Sequence, residues 1–214
     1  MRWLALCLVV ACGPAPAAPT LANRTAQPAP EPLAVVGNPG AAVKIAYWFD
    51  YTCAHCADFA PTLDRIEATY GDRIGVFYKN FPLGKSPLAK TAAVAAEAAR
   101  RQGAFIAMHR LLMESQARLM VQQVASTLQQ GKEPAVPPPD LRLLATELHL
   151  DLARFDRDVA DPAAAAAVDR DRAEGERAGI EYVPYLTING EVFTGDREVA
   201  ALSRAIDAAL ASRE

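Results

Sequence analysis

Apolar positions along this chain fall into blocks of two periods, and the blocks predict an order of elements. Val43-Lys44-Ile45-Ala46-Tyr47-Trp48-Phe49 is a short run rich in β-branched and aromatic residues and reads as a strand. A short apolar piece, Leu33 to Val36, and a turn through Gly37-Asn38-Pro39-Gly40 precede it. After it, Phe59, Leu63, Ile66 and Tyr70 recur at spacings of four, three and four, which predicts a helix to about Thr69 with one face in the core. Pro61 interrupts that helix and predicts a kink, because it removes an internal hydrogen bond. Ile74 to Tyr78 is a second strand that ends at Phe81-Pro82.

From Ser86 to Gly179 the pattern turns helical. Ser86 followed by Pro87 reads as an N-cap with a first-turn proline, Leu88 to Gln102 as an alanine-rich helix, and Gly103 as its stop. A further helix is expected over about Ala104 to Arg118, with Leu119 to Gln130 either continuing it or forming another. Gly131 to Pro139, with three consecutive prolines, reads as loop. Asp140 and Asp151 read as N-caps of short helices, and Asp161-Pro162 opens a long helix to Gly179. Strand chemistry then returns in Tyr185-Leu186-Thr187-Ile188, with Asn189-Gly190 as a hairpin turn and Glu191-Val192-Phe193 as the partner strand. Arg197 to Ala211 closes the chain as a helix with Val199, Leu202, Ile206 and Leu210 on its buried face. Strand, helix, strand, helical block, hairpin and helix make an α/β layer arrangement.

The chemistry enters at Cys53-Ala54-His55-Cys56, which sits where the first long strand gives way to the first helix. Unpaired backbone N–H groups and the helix dipole favour negative charge there, so Cys53 is expected to ionise near neutral pH and act as a nucleophile. Cys56, three residues on, is within reach of it. A disulfide between them closes a small ring that exchanges readily, so the motif reads as redox chemistry.

A lone CxxC is equally half of a zinc site, and Cys53, His55 and Cys56 would supply three ligands. The cysteine count argues against zinc. Of four cysteines, Cys7 and Cys12 lie in an N-terminal apolar segment expected to be processed, which leaves no second CxxC. His109 beside Met108, Leu111 and Leu112, and His149 between Leu148 and Leu150, read as ordinary helix positions.

Composition refines the picture at the N-terminus. Arg2 and the apolar run Leu4 to Ala11 read as a secretion signal, the run being shorter than the roughly 20 residues a membrane span needs. Val9-Val10-Ala11-Cys12 resembles a bacterial lipobox, so residues 1–11 are expected to be removed and Cys12 to carry lipid. The alternative is cleavage after Ala17, which gives a soluble secreted protein. Residues 12–34 then form the lipidated end and a proline- and alanine-rich linker, with prolines at 14, 16, 19, 28, 30 and 32. Residues 13–32, extended at the polyproline rise, reach up to about 60 Å. Residues 35–214 are expected to form the folded domain, with a helical insertion over about 86–179. The formal charge of −3 and the lack of a basic stripe exclude nucleic acid as the expected partner. The secreted context permits disulfides, yet only two thiols remain after processing and lipidation, too few for a structural framework.

From about Val35 to Leu210 the chain resembles the thioredoxin fold, and within it the DsbA-like thiol-disulfide oxidoreductases. The resemblance rests on Phe49-Asp50-Tyr51-Thr52-Cys53-Ala54-His55-Cys56, on Pro61 five residues past the second cysteine, and on Asn80-Phe81-Pro82-Leu83. Ala95 to Ala99 with Gln102-Gly103-Ala104-Phe105 is similar to the start of the family's helical insertion, and Val183-Pro184 with Tyr185 to Gly190 to its cis-proline loop and hairpin. The chain departs from the family pattern at three places: Ala54 replaces a common proline, Ser86 a histidine, and Tyr47 the buried acid that some relatives carry six residues before the first cysteine. The loop around 122–139 is longer than usual. Asp50 is nearer the thiols, with proton transfer or capping of the motif loop as its two readings.

The resemblance implies a thioredoxin fold with the insertion between the second strand and the cis-proline hairpin. It implies Cys53 as attacking thiol, Cys56 as resolving thiol, His55 as electrostatic tuner, and Pro184 in cis. Val183 would offer backbone groups to an extended client segment, while Tyr51, Tyr182 and Tyr185 are either an apolar rim or core packing. It implies no cofactor beyond the Cys53–Cys56 disulfide, no metal, clients that carry cysteine, a membrane redox partner that resets the site, and a place on the periplasmic side of a bacterial envelope. The expected activity is disulfide formation in secreted or envelope proteins; within the enzyme class the alternative is a reductase or isomerase kept reduced by a membrane partner, and the competing class is a tethered binding or chaperone module in which the CxxC is incidental.

Overall fold

The computed structural model describes residues 34–84, 86–121 and 139–212. The residues expected to form a signal and most of a linker, with Cys7 and Cys12, and those expected to form a loop up to residue 138 lie outside the described residues. The described sheet has five strands, β1 Val35–Gly37, β2 Val43–Phe49, β3 Ile74–Asn80, β4 Tyr185–Ile188 and β5 Glu191–Val192, in the order β1-β3-β2-β4-β5. Its helices are α1 Ala54–Tyr70, α2 Pro87–Arg100, α3 Phe105–Glu114, α4 over 116–121, α5 Pro139–Glu147, α6 Leu152–Ala160, α7 Pro162–Arg177 and α8 Val199–Ala211.

The central strand explains the layering. In β2, Val43, Ile45, Tyr47 and Phe49 are each at most 1% exposed, while Lys44 between them is exposed, so one face of the strand is wholly core. β2 and β3 pair in parallel from Val43 opposite Ile74 to Phe49 opposite Asn80. A parallel pair needs a crossover, and α1 with the short 3-10 turn Gly71–Arg73 supplies it. Phe59, Leu63, Ile66 and Tyr70 are buried, as their spacing predicts, and the helix runs through Pro61. On its other edge β2 pairs antiparallel with β4, Trp48 opposite Tyr185. The end of β2 and the start of β4 therefore share one end of the sheet, and the loops beyond them meet.

Several boundaries differ from the sequence expectation. Val35–Gly37 is an edge strand antiparallel to β3 rather than an unassigned apolar piece. β3 extends past Tyr78 to Asn80, whose backbone N–H donates to Asp171 Oδ2 at 3.0 Å and whose side-chain amide donates to Glu97 Oε1 at 2.9 Å. The helix expected over Ala104 to Arg118 breaks at Ser115 and resumes at 116. Asp140 lies in the first turn of α5 rather than capping it, where its charge still complements the helix dipole. His149 lies in the turn after α5 with φ 54°, in the left-handed region.

Other local signals match their expected places. Ser86, Asp151 and Asp161 accept hydrogen bonds from Leu88, Arg154 and Ala163 N–H at the starts of α2, α6 and α7. Asn189 and Gly190 both have positive φ, 52° and 87°, the geometry that a two-residue hairpin between β4 and β5 requires. On α7, Gly175 permits close packing: a Cβ there would meet the Phe81 ring at 2.6 Å and Trp48 Cδ1 at 3.1 Å. The second face of the sheet is thereby joined to the helical insertion beside the start of the motif loop.

Candidate active site

Between β2 and α1 the chain turns through Asp50, Tyr51 and Thr52, and the carboxylate of Asp50 organises that turn. It is 2% exposed. Oδ1 accepts from the Thr52 backbone N–H at 2.7 Å and from the Thr52 hydroxyl at 2.8 Å, and Oδ2 accepts from Leu83 N–H at 2.8 Å. One side chain thus ties the motif turn to the Asn80-Phe81-Pro82-Leu83 loop, which is the capping role, one of its two readings. The Asp50 carbonyl also accepts from Cys53 N–H at 3.1 Å.

Cys53 is the N-cap residue of α1 and is half-buried, whereas Cys56, one turn inside, is wholly buried. Both are free thiols. The Cys53 thiol is lowered to about 6, first by the hydrogen bond from the Cys56 thiol and then by the backbone N–H groups of Cys56 and His55, with partial burial and the Asp50 carboxylate opposing. Cys56 moves the other way. Burial pushes its thiol far above the ordinary range, and the hydrogen bond it gives to Cys53 adds to the effect. The pair is polarised into one ionisable, reachable sulfur and one protonated, hidden sulfur.

Val183 and Pro184 close the site from the other strand. Their peptide bond is cis, both are buried, and the Val183 carbonyl lies 3.5 Å from Cys53 Sγ. Arg197 Nη2 donates to the Pro184 carbonyl at 2.9 Å, a support that nothing in the local sequence pattern indicates. Tyr182 is 55% exposed and stacks edge-on against the half-buried Tyr185, ring centroids 5.8 Å apart. Tyr185 in turn meets Trp48 at 6.0 Å.

Tyr51 is not a rim residue. It is 3% exposed, its ring packs on Phe49, and its hydroxyl meets Nδ1 of His109 at 3.1 Å, so of its two readings the structure gives core packing. His109 is itself 2% exposed, among the rings of Tyr47, Phe49, Tyr51, Tyr78 and Phe105, and burial lowers its imidazole to about 3, which keeps it neutral. Tyr47 lies fully buried on the core face of β2. Its hydroxyl has no hydrogen-bond partner among the described residues, and burial, then the neighbouring Cys56, push its phenol well up.

His55 is exposed, and the part it plays at Cys53 in this structure is through its backbone N–H. Sequence reasoning missed Gln116. Its buried side-chain nitrogen donates to the Tyr51 carbonyl at 2.9 Å and to the Cys53 carbonyl at 3.1 Å, reaching the motif turn from the first residue of α4. Among the described residues no group of three or more His, Cys, Asp or Glu is placed to hold a metal ion. Among them, too, no helix is long and apolar enough to cross a membrane.

Comparison with known proteins places the fold. A family model described as Thioredoxin matches residues 30–208. Among curated proteins, the chain is 31% identical over 173 residues to Na(+)/H(+) antiporter NhaA 3 of Salinispora tropica, a match covering 80% of this chain and 24% of that protein. It is 30% identical over 172 residues to Na(+)/H(+) antiporter NhaA 1 of Salinispora arenicola, with the same coverage of 80% and 24%. The chain thus spans about a quarter of the length of these relatives. Among solved structures, a thioredoxin-like oxidoreductase from Silicibacter pomeroyi superposes with a TM-score of 0.66 at 24% identity, covering 85% of this chain and 93% of that one. BdbD from Bacillus subtilis superposes with a TM-score of 0.66 at 20% identity, covering 84% and 93%. The thiol-disulfide exchange protein α-DsbA2 from Wolbachia pipientis gives 0.65 at 16%, covering 82% and 86%. The chain belongs to the thioredoxin family, and its five-stranded α/β domain with a helical insertion has the fold of the DsbA-like thiol-disulfide oxidoreductases.

Proposed function

We propose that this protein is a dithiol oxidase, a thiol-disulfide oxidoreductase that forms disulfides in cysteine-containing client proteins of a bacterial envelope. The observation that carries the reading is the opposite polarisation of the two sulfurs, Cys53 lowered to about 6 and half-buried, Cys56 raised and wholly buried. A client thiolate attacks Sγ of Cys53 in the Cys53–Cys56 disulfide. The bond between Cys53 and Cys56 breaks, a client–Cys53 mixed disulfide forms, and the electron pair leaves on Cys56, which takes up a proton. A second client thiolate then attacks the client sulfur of that mixed disulfide and releases Cys53 as a thiolate. Its low pKa makes Cys53 a good leaving group and favours the reduced enzyme, which is the bias of an oxidant. A membrane redox partner removes the two electrons and restores the disulfide.

Client recognition uses the loop of Val183 and cis-Pro184. An extended client segment lies along Val183, whose backbone faces Cys53, and the exposed ring of Tyr182, backed by Tyr185, supplies apolar contact. His55 adds a charge-tuning imidazole at the mouth of the site. Lipid on Cys12 holds the domain at a membrane on the periplasmic side, with residues 13–34 as tether; mass spectrometry of the mature N-terminus tests this, and an unmodified terminus near Ala18 overturns it.

The deciding experiment is turnover. Catalytic oxidation of a reduced dithiol peptide in the presence of an electron acceptor supports the oxidase, and stoichiometric reaction alone supports a binding module whose CxxC is incidental. Equilibration with a glutathione buffer then gives the potential: a value nearer the roughly −120 mV of strong oxidants than the roughly −270 mV of thioredoxin supports the oxidising direction.

A further inference from the structure

The helical insertion touches the motif turn through one polar side chain whose role the thiol chemistry alone does not use. Gln116 opens α4 just after the break at Ser115, and it is buried. Its amide nitrogen lies 2.9 Å from the Tyr51 carbonyl oxygen and 3.1 Å from that of Cys53. A side-chain amide has two N–H bonds, and two carbonyls use both. The orientation follows from chemistry: with the amide reversed, its oxygen would face two carbonyl oxygens and both contacts would be repulsive.

The Cys53 carbonyl is the hinge of the arrangement. It accepts from Cys56 N–H at 2.9 Å and from Ala57 N–H at 3.2 Å, the first bonds of α1, and from Gln116 as a third donor. The plane of this peptide fixes where the first-turn N–H groups of α1 point, and those of His55 and Cys56 are the ones that reach Cys53 Sγ. The Tyr51 carbonyl, two residues earlier, sets the approach to Cys53. Tyr51 is anchored again at its hydroxyl by His109 of α3. Both ends of the turn are thereby held from the insertion, and neither bond is made by a neighbour in sequence: Gln116 lies 65 and 63 residues from its two partners.

We propose that Gln116 is a positioning residue of the exchange reaction, using both N–H bonds of its amide to hold the carbonyls of Tyr51 and Cys53 and thereby the turn that aims Cys53 Sγ at the client. The proposal rests on the reading of Cys53 as the attacking thiol. Gln116 touches no sulfur and acts only through the backbone. Without its two donors the turn relaxes, the N–H groups of His55 and Cys56 drift from Sγ, and the thiolate loses part of its support.

The test is ultraviolet titration of the Cys53 thiolate in the reduced full chain, for the wild type, Gln116→Met and Gln116→Leu, with turnover of a dithiol peptide measured alongside. Methionine keeps the length and removes both donors. Leucine also removes both donors and adds no charge that would shift the thiol by itself, so it decides the question if the methionine variant does not fold. The expected result is an upward move of the titration midpoint by about one pH unit in both variants, roughly a tenfold loss of thiolate below the midpoint, with a parallel fall in exchange rate. Variants that melt at a lower temperature yet titrate and turn over like the wild type overturn the proposal, because Gln116 is then structural only. An inactive wild type overturns the exchange reading and the proposal with it, whereas an active wild type with unmoved variants overturns the proposal alone.

Discussion

Cys53 Sγ lies 3.5 Å from the carbonyl oxygen of Val183, so the reactive sulfur and the backbone of the cis-proline loop form one surface although 130 residues separate them in the chain. The contact is possible because β2 and β4 are antiparallel neighbours, with Trp48 opposite Tyr185, which brings the loop after one and the loop before the other to the same end of the sheet. Cys56 lies behind this surface and is wholly buried.

Replacing the two cysteines separately is expected to give opposite failures. Cys53→Ser removes the reachable sulfur and abolishes exchange. Cys56→Ser leaves a Cys53 thiolate that attacks a client disulfide and expels one client thiolate, but lacks the second thiol that would displace the bound client, so mixed disulfides accumulate on Cys53. Non-reducing gels of each variant after exposure to a disulfide-bonded client check this; trapped complexes on Cys53→Ser but none on Cys56→Ser reverse the assignment.

Asp50 is expected to matter for stability and for the thiolate in opposite senses. Its buried carboxylate accepts three hydrogen bonds, two from Thr52 and one from Leu83 N–H, and removing it in Asp50→Ala costs on the order of 3 kcal/mol. The same negative charge opposes ionisation of Cys53. Asp50→Asn, which removes the charge and keeps an acceptor for Thr52, is therefore expected to bring the Cys53 titration below about 6. Chemical denaturation gives the first quantity and thiolate absorbance the second; a Cys53 midpoint that rises in Asp50→Asn contradicts the argument.

Much of this site can be read from the sequence because its signals are local. The strand-to-helix junction at Cys53, the caps at Ser86, Asp151 and Asp161, and the Asn189-Gly190 turn each depend on residues within a few positions of one another, where steric and hydrogen-bonding preferences are strong. Gln116 and Arg197 carry no such signal. Each supports the site through a bond to a distant backbone carbonyl, and a polar residue in a helical segment looks the same whether it meets water or a loop on another element. The inward turn of Tyr51 was equally hidden, since it depends on His109, 58 residues away. The break at Ser115 has no glycine or proline to mark it, and the β1 pairing with β3 rests on three residues at an edge.

His109 is expected to make the domain acid-sensitive. Its folded pKa is lowered to about 3 from an ordinary 6.5, so between those values the unfolded chain binds a proton that the folded one does not. Stability is thus intact above pH 6.5 and is lost as pH falls toward 3, by on the order of 2 kcal/mol at pH 5. His109→Leu removes this contribution, and the difference in unfolding free energy between wild type and variant is expected to shrink as pH falls from 7 to 5. Denaturant titrations at several pH values measure the slope, and parallel curves for the two proteins refute it.

Direction of electron flow is the last expectation, and it turns on the Cys53 thiolate. Its pKa is lowered in the folded reduced protein from an ordinary 9.0 to about 6. A lowered acid pKa adds stability that is fully present above the unfolded value of 9.0 and is lost as pH falls through about 6, so only part of it acts at neutral pH. At pH 7, with Cys53 half-buried and partly screened by water, that part is on the order of 1 kcal/mol, equivalent to roughly 20 mV in a two-electron couple. The reduced domain is therefore expected to be the more stable form near pH 7, and its advantage over the oxidised form to grow between pH 5 and pH 8. His55→Ala leaves the backbone N–H at that position in place and removes only the imidazole, so it is expected to lower the potential and narrow the gap by less than the whole Cys53 effect. Paired melting curves in reductant and oxidant across that pH range measure both. An oxidised form that is clearly the more stable at pH 7 points instead to a reductase kept reduced by its membrane partner.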